Sequence, residues 1–136
     1  MSADSQWAVQ QAIVAKLKAS AALTAIVSQR VYDDVPQGTA YPYIVVDDMT
    51  SVPFDTQGGV GAQVSVNIYC WSRYRGRKEV RQMMDAVYAA LNRQALTISG
   101  HTHIDTLFLT SSTFRQGDGV TYSAMTSFRV TTEPTS

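Results

Sequence analysis

The chain has 136 residues, and eleven lysines and arginines balance eleven aspartates and glutamates, so its formal net charge is zero. This length fits one domain, residues 1–136, with its own hydrophobic core, and neutrality excludes a chain-wide attraction to nucleic acid or to an anionic membrane. No run approaches the roughly 18 apolar residues of a membrane span, and the lone Cys70 excludes an intramolecular disulfide. We therefore expect a soluble protein that is made inside the cell.

The N-terminal part of the chain predicts two helices and then an extended segment. Apolar residues recur at four-residue steps from Val9 to Leu17, which indicates an amphipathic helix over residues 5–19. Ser20 can cap a short second helix. The β-branched and aromatic residues that begin at Val31 then predict extended chain.

The middle of the chain predicts a hairpin with a long loop. Residues 35–43 contain two prolines and a glycine, which is typical of a turn, and a strand follows from Ile44. Residues 51–61 contain one proline and three glycines, so we expect a long mobile loop there. Apolar and polar residues alternate over residues 62–71, which predicts a strand that is covered on one face only.

The last part of the chain predicts a long helix and two strands. Apolar residues at helical spacing indicate a helix over residues 77–93 that packs on the covered sheet face. Ile104, Thr106 and Phe108 are expected on one side of the first strand, and residues 116–119 join it to the second as a hairpin turn. The order ααββαββ, connected by hairpins rather than crossovers, indicates an α+β fold: an antiparallel sheet of about four to five strands with two main helices packed on one face.

The stretch HTHID, residues 101–105, suggests a metal site. Alternate side chains of a strand point the same way, so His101, His103 and Asp105 can converge on one cation. A catalytic zinc site, however, usually has three ligands held by further hydrogen bonds, and the sequence contains no other histidine. We expect a polar strand entry with no metal and no cofactor, and a small metal-dependent enzyme remains the alternative.

Other catalytic patterns find no support in the sequence. Neither a nucleophile elbow nor a phosphate-binding loop is present. Cys70 lies on the apolar side of its predicted strand, as a packed thiol does. Asp47 and Asp48 are adjacent, so on a strand they face opposite ways and make a poor acid/base pair. We therefore expect a protein that is not an enzyme.

A basic cluster lies where the long predicted helix begins, and it consists of Arg73, Arg75, Arg77 and Lys78. Cations are disfavoured at a helix N-terminus by about 0.3–1 kcal/mol each, so helix stability does not explain these residues. Two interpretations remain open. The cluster is either a solvated loop beside Glu79, or a contact with an acidic partner surface or a phosphate backbone.

Three stretches of the chain, taken in order, resemble one protein family. They are LTAIVSQRVYDDVPQGTAYPYIVV at 23–46, VNIYCWSRYRGRKEV at 66–80, and the helix that continues to Leu91. Together they resemble the tail terminators, also called tail completion proteins, of long-tailed bacteriophages and gene transfer agents. The most specific positions are Tyr41, Pro42, Tyr43 and Trp71, which we interpret as fold and packing residues in this chain.

The resemblance implies a structural protein of the virion tail, assembled in the bacterial cytoplasm, with no catalytic residues to carry over. Such proteins form a hexameric ring that caps the head-proximal end of the tail tube, stops its polymerisation and presents a surface to head completion or stopper proteins. The implied partners are other copies of the chain, the tube protein and those head proteins. DNA passes through the ring without sequence-specific binding. Another head-tail connector, an adaptor or a stopper, is the alternative.

Two segments are candidates for contacts with these partners. Phe54 is an aromatic anchor on the predicted loop, and with Asp55 beside it we expect contact with the tube or with a neighbouring subunit. The basic cluster is the second candidate. A ring uses head-to-tail contacts between different surfaces of one chain, and a mixed, neutral surface suits such contacts.

Overall fold

The computed structural model describes residues 6–56 and 59–134, with the backbone alone at 54–56, 59–60 and 134. Within these residues the helices are α1 (Gln6–Lys18), α2 (Ala21–Val27) and α3 (Lys78–Leu91). The strands are β1 (Val31–Tyr32), β2 (Tyr43–Thr56), β3 (Gly59–Ser72), β4 (His101–Arg115) and β5 (Tyr122–Pro134). The strands form one sheet in the order β1-β2-β3-β5-β4. The predicted α+β class is confirmed.

The two N-terminal helices form where the sequence predicts them. The apolar stripe of α1 is buried at Val9, Ile13 and Leu17. The Leu23 N–H donates a hydrogen bond of 3.3 Å to the side-chain oxygen of Ser20, so Ser20 satisfies one of the free donors at the start of α2. None of the helices in the described ranges is long and apolar enough to cross a membrane.

The core lies on one face of the sheet, beneath the helices. Residues of β3 and β5 alternate between this inner face and an outer face, as the period-two pattern predicts. The residues of the two strands that face the core are Val64, Val66, Ile68, Cys70, Ala124, Phe128 and Val130. The stripe of α3 packs against them through Val80, Met83, Val87 and Leu91. The predicted placement of the helices on one face of the sheet is confirmed.

Two connections differ from the prediction that hairpins join the strands. β1 pairs with β2 in parallel, with Val31 opposite Ile44. β5 lies between β3 and β4 and is antiparallel to both, so α3 carries the chain from β3 across β5 to the far edge of the sheet. The expectation of hairpins without crossovers is wrong here, because a two-residue strand leaves no readable pattern and periodicity says nothing about which strands are neighbours.

The predicted loop over residues 51–61 is largely a strand pair. β2 and β3 pair from Tyr43 opposite Trp71 to Thr56 opposite Gly59, with one register shift at Asp48, and residues 57–58 lie outside the described part of the chain. A proline is tolerated at Pro53 because that part of β2 is an edge, where an N–H is not needed for pairing. The backbone of Phe54 and Asp55 belongs to β2. Their side chains lie outside the described residues, so their partner contacts stay predictions.

The sheet has two open edges and three bulges in the described residues. β1 covers only Ile44 and Val45 of β2, and β4 is the last strand on the other side. The register shifts at Asp48 in β2 and at Ile104 and Leu109 in β4. Ile104 is 42% exposed whereas Thr106 is buried, so the expectation that they share a face is wrong. The bulge adds a residue that breaks the alternation.

Candidate partner-binding surfaces

The basic cluster lies on a loop that hydrogen bonds hold between β3 and α3. The Ser72 hydroxyl donates to the Glu79 carboxylate at 2.7 Å and accepts from the Tyr74 N–H at 3.0 Å. Gly76 has a φ of +80°, a conformation that side chains disfavour. Since Ser72 ends β3 and Glu79 lies in the first turn of α3, these bonds fix the direction in which the loop projects.

The Arg73 side chain contacts other residues of the same chain. Its Nε donates to the Thr121 hydroxyl at 3.1 Å, and its Nη2 lies 4.0 Å from an Asp118 carboxylate oxygen. Its guanidinium carbon also lies 4.5 Å from the centre of the Tyr41 ring, a cation–π distance. Arg73 therefore ties the turn before β2 to the β4–β5 hairpin.

The remaining members of the cluster are more open. Arg77 lies above the Tyr122 ring at 5.5 Å. Arg75 and Lys78 are exposed, and within the described ranges neither side chain has a hydrogen bond or an ion pair. Arg81, one turn beyond Lys78, is exposed in the same way, and residues three apart share a helix face. We call Arg75, Lys78 and Arg81 the basic ridge. That the basic cluster binds a partner stays a prediction.

The β4–β5 hairpin beside Arg73 is organised by one carboxylate. Asp118 accepts hydrogen bonds from the Thr121 hydroxyl at 2.6 Å and from the N–H groups of Val120 and Thr121 at 2.9 and 2.8 Å. These bonds lower the pKa of Asp118 from 3.8 to about 2, and the bond from the Thr121 hydroxyl has the largest effect. They favour the charged form, because each donor points at the carboxylate.

The stability of the folded chain should therefore depend on Asp118 at acid pH. The lowered pKa means that the stabilising contribution is complete above about pH 4 and is lost as the pH falls towards about 2. Asp118→Asn should flatten this part of the pH dependence. Urea midpoints of wild type and variant, measured across that range, test it. Parallel curves for the two proteins would contradict the predicted role.

Four aspartates at the β1–β2 edge form a second charged surface, which the sequence did not predict. Asp33 and Asp34 follow β1, and Asp47 and Asp48 lie at the bulge of β2. All four are exposed, and none forms an ion pair within the described part of the chain. We call these four residues the acidic groove, because they line two adjoining cavities of about 600 and 380 Å³.

The bulge overturns the expectation that Asp47 and Asp48 face opposite ways. Asp48 has a φ of +26° and lies outside the β2–β3 register, so both carboxylates line the larger cavity. The Asp48 N–H donates to the Asp47 carboxylate at 2.9 Å, and the Tyr69 hydroxyl donates to that of Asp48 at 3.3 Å. The pKa of Tyr69 is raised, mainly by burial of its hydroxyl and next by the negative charge of Asp48.

Aromatic rings form the wall of the smaller cavity. Tyr43 and Trp71 stack with centroids 6.4 Å apart and planes at 24°, and Tyr69 lies beside them. Burial and the neighbouring Tyr41 raise the pKa of Tyr43 to about 12. The exposed indole of Trp7 lines the larger cavity. The cavities lined by the acidic groove therefore also present flat aromatic ring faces beside the carboxylates.

The HTHID stretch does not form the constellation proposed from its spacing. The bulge at Ile104 places His103 opposite Thr132 on the inner face and Asp105 opposite Thr131 on the outer face. His103 Nε2 lies 2.7 Å from the Thr106 hydroxyl. Across the described residues, no three His, Cys, Asp or Glu side chains are grouped to hold a metal ion. The expectation that the three side chains point the same way is wrong.

Comparison with known proteins gives consistent results. The sequence profile of the family described as Tail completion protein gp17 matches residues 11–133. Tail completion protein gp17 of Bacillus phage SPP1 is 27% identical over 124 residues, which are 91% of each chain. A chain from the virion of a native gene transfer agent particle has a TM-score of 0.89 at 26% identity, covering 97% of this chain and 99% of that one. The structure of bacteriophage SPP1 gp17 has a TM-score of 0.65 at 26% identity, covering 92% and 88%.

Proposed function

The chain belongs to the family of tail completion proteins, and we propose that it closes the head-proximal end of a tail tube as a ring of identical subunits. It is a structural protein of the virion that acts where tail and head are joined. In the proposed role the ring stops further polymerisation of the tube protein and offers its other side to a head completion or stopper protein. DNA passes through the ring without being read.

The observation that carries this proposal is the likeness, over nearly the whole of both chains, to a chain of an assembled gene transfer agent virion. That chain is part of a particle. The same fold in this protein, with the three helices, the long β2–β3 hairpin and the open sheet edges, therefore supports a role as a subunit of a particle.

The size of the molecule also supports a ring. The accessible surface of the folded chain is 7286 Å². Contacts with two neighbours at about 800 Å² each would cover under a quarter of that surface. The rest stays accessible to the tube on one side and to the head proteins on the other.

We further propose that this role involves no catalysis. Capping a tube needs complementary surfaces rather than a reacting group. Cys70 is fully buried, with a pKa raised to about 12, and the HTHID side chains are divided between two sheet faces. Both observations favour a binding role for the surfaces described above.

The first measurement is the distribution of tail lengths in particles produced with and without the gene. Without the protein we expect overlong tubes that lack heads, because nothing then stops the addition of tube subunits. Supplying the gene from a plasmid should restore the normal length. Tails of normal length that fail to join heads would instead favour the adaptor or stopper function, and electron microscopy of negatively stained lysates distinguishes the two results.

A further inference from the structure

We propose that the acidic groove of one subunit binds the basic ridge of the next copy of this chain. This inference rests on the proposed ring and names the two surfaces that would form its repeated contact. The groove consists of Asp33, Asp34, Asp47 and Asp48, and the ridge consists of Arg75, Lys78 and Arg81.

The two surfaces carry opposite charges. Within the described ranges the four carboxylates form no ion pairs, and the three cations have no side-chain partners. Like charges that lie close together repel one another, and an opposite charge within about 4–6 Å relieves that repulsion. Contact between groove and ridge would neutralise most of both surfaces, which agrees with a chain whose formal net charge is zero.

The chemistry of the groove selects an arginine-bearing partner. Its smaller cavity combines Asp33 and Asp34 with the stacked rings of Tyr43 and Trp71. A guanidinium group can stack on such rings while its N–H groups pair with a carboxylate, whereas a lysine offers only a point charge. Phosphate groups would be repelled, so the groove does not fit nucleic acid. Arg75 carries such a guanidinium group. It is exposed on a loop whose two ends are held by hydrogen bonds.

Among the described residues of one chain no ion pair joins the groove to the ridge, so the proposed contact forms between copies. The groove lies at the β1–β2 edge, with Trp71 and Tyr69 contributing from the outer face of β3. The ridge lies on the β3–α3 loop and the first turns of α3, and α3 packs on the inner face. Because the two surfaces differ, their contact is head-to-tail, and such contacts close into a ring when the rotation between copies permits it.

Two charge-reversed variants test the contact in cells that lack their own copy of the gene. The groove variant carries Asp33→Lys and Asp34→Lys, and the ridge variant carries Arg75→Glu and Lys78→Glu. All four residues are exposed and lack side-chain partners among the described residues, so both variants should fold, which circular dichroism verifies. Arg93→Glu, a reversal of another exposed cation, is the matched control.

We expect each variant alone to reduce the yield of functional particles by about 100-fold, because reversed groups repel the native surface of the next copy. The control should assemble normally. Producing both variants together should restore the yield to within about tenfold of wild type. In an alternating ring, each contact then pairs either two native surfaces or two reversed ones. A chain carrying all four changes should also assemble.

Three results would overturn the proposal. They are normal assembly of both variants, failure of only one of them, and failure of both that co-production does not restore. In the last two cases the impaired surface meets a different partner, such as the tube or a head protein. These results are independent of the tail-length measurement without the gene, which tests the proposed function itself.

Discussion

Replacing Phe128 with alanine is expected to lower the free energy of unfolding by about 3–5 kcal/mol. Phe128 lies on β5, within the sheet, and is fully buried. Its ring makes an edge contact with Phe108 at 5.8 Å, and Phe108 contacts Tyr88 of α3 at 5.2 Å. The smaller side chain would leave a cavity where the sheet meets α3. Since domains are typically stable by about 5–15 kcal/mol, this loss is a large share of the total.

Urea unfolding followed by circular dichroism measures the effect, and the chain offers a matched control. Phe114 is 48% exposed on β4, so Phe114→Ala removes the same atoms without opening a buried cavity. We expect the control to change the free energy of unfolding by no more than about 0.5 kcal/mol. Equal losses in the two variants would contradict the position of Phe128 in the core.

The thiol of Cys70 should resist alkylation in the folded protein. Its side chain is fully buried, and burial raises its pKa to about 12. The thiolate is the reactive form, so near pH 8 the reactive fraction falls about 1,000-fold or more relative to an ordinary cysteine. Labelling by Ellman's reagent should therefore be at least that much slower in native protein than in guanidinium chloride.

An added surface cysteine gives the control for this experiment. Ser99 is exposed in the segment before β4, and Ser99→Cys should label rapidly while Cys70 in the same native chain does not. One labelled thiol of two, counted by mass spectrometry, is the expected result. Rapid labelling of both thiols would show that β3 opens readily, contrary to a strand paired on both sides.

The elements with a complete pattern could be predicted from the sequence. Apolar residues recur at helical spacing along α3 and at every second position along β3, because each element buries one face against the same core. The strand extension over residues 51–56 could not be predicted, since Pro53 and the neighbouring glycines are typical of a loop although backbone pairing continues through them. Neighbour relations in the sheet, such as β5 between β3 and β4, leave no trace in local periodicity.

The two charged surfaces also differ in how far the sequence predicts them. The basic cluster is close together in sequence and can be predicted from it, although only the structure shows that Arg73 contacts Thr121 and Tyr41. The acidic groove combines two pairs of aspartates that are distant in sequence. Their proximity depends on a parallel strand of two residues and on the bulge at Asp48, and neither feature follows from residue type.

The bulges of β4 also affect how the free protein behaves before assembly. An uncovered strand of 15 residues is a template on which further strands, including those of other copies, can add and grow into insoluble aggregates. Ile104 and Leu109 each interrupt the hydrogen-bonding register of this strand. An incoming strand would find only short uninterrupted stretches on either side of each interruption. The bulges of β4 should therefore limit edge-to-edge association between free copies of the chain.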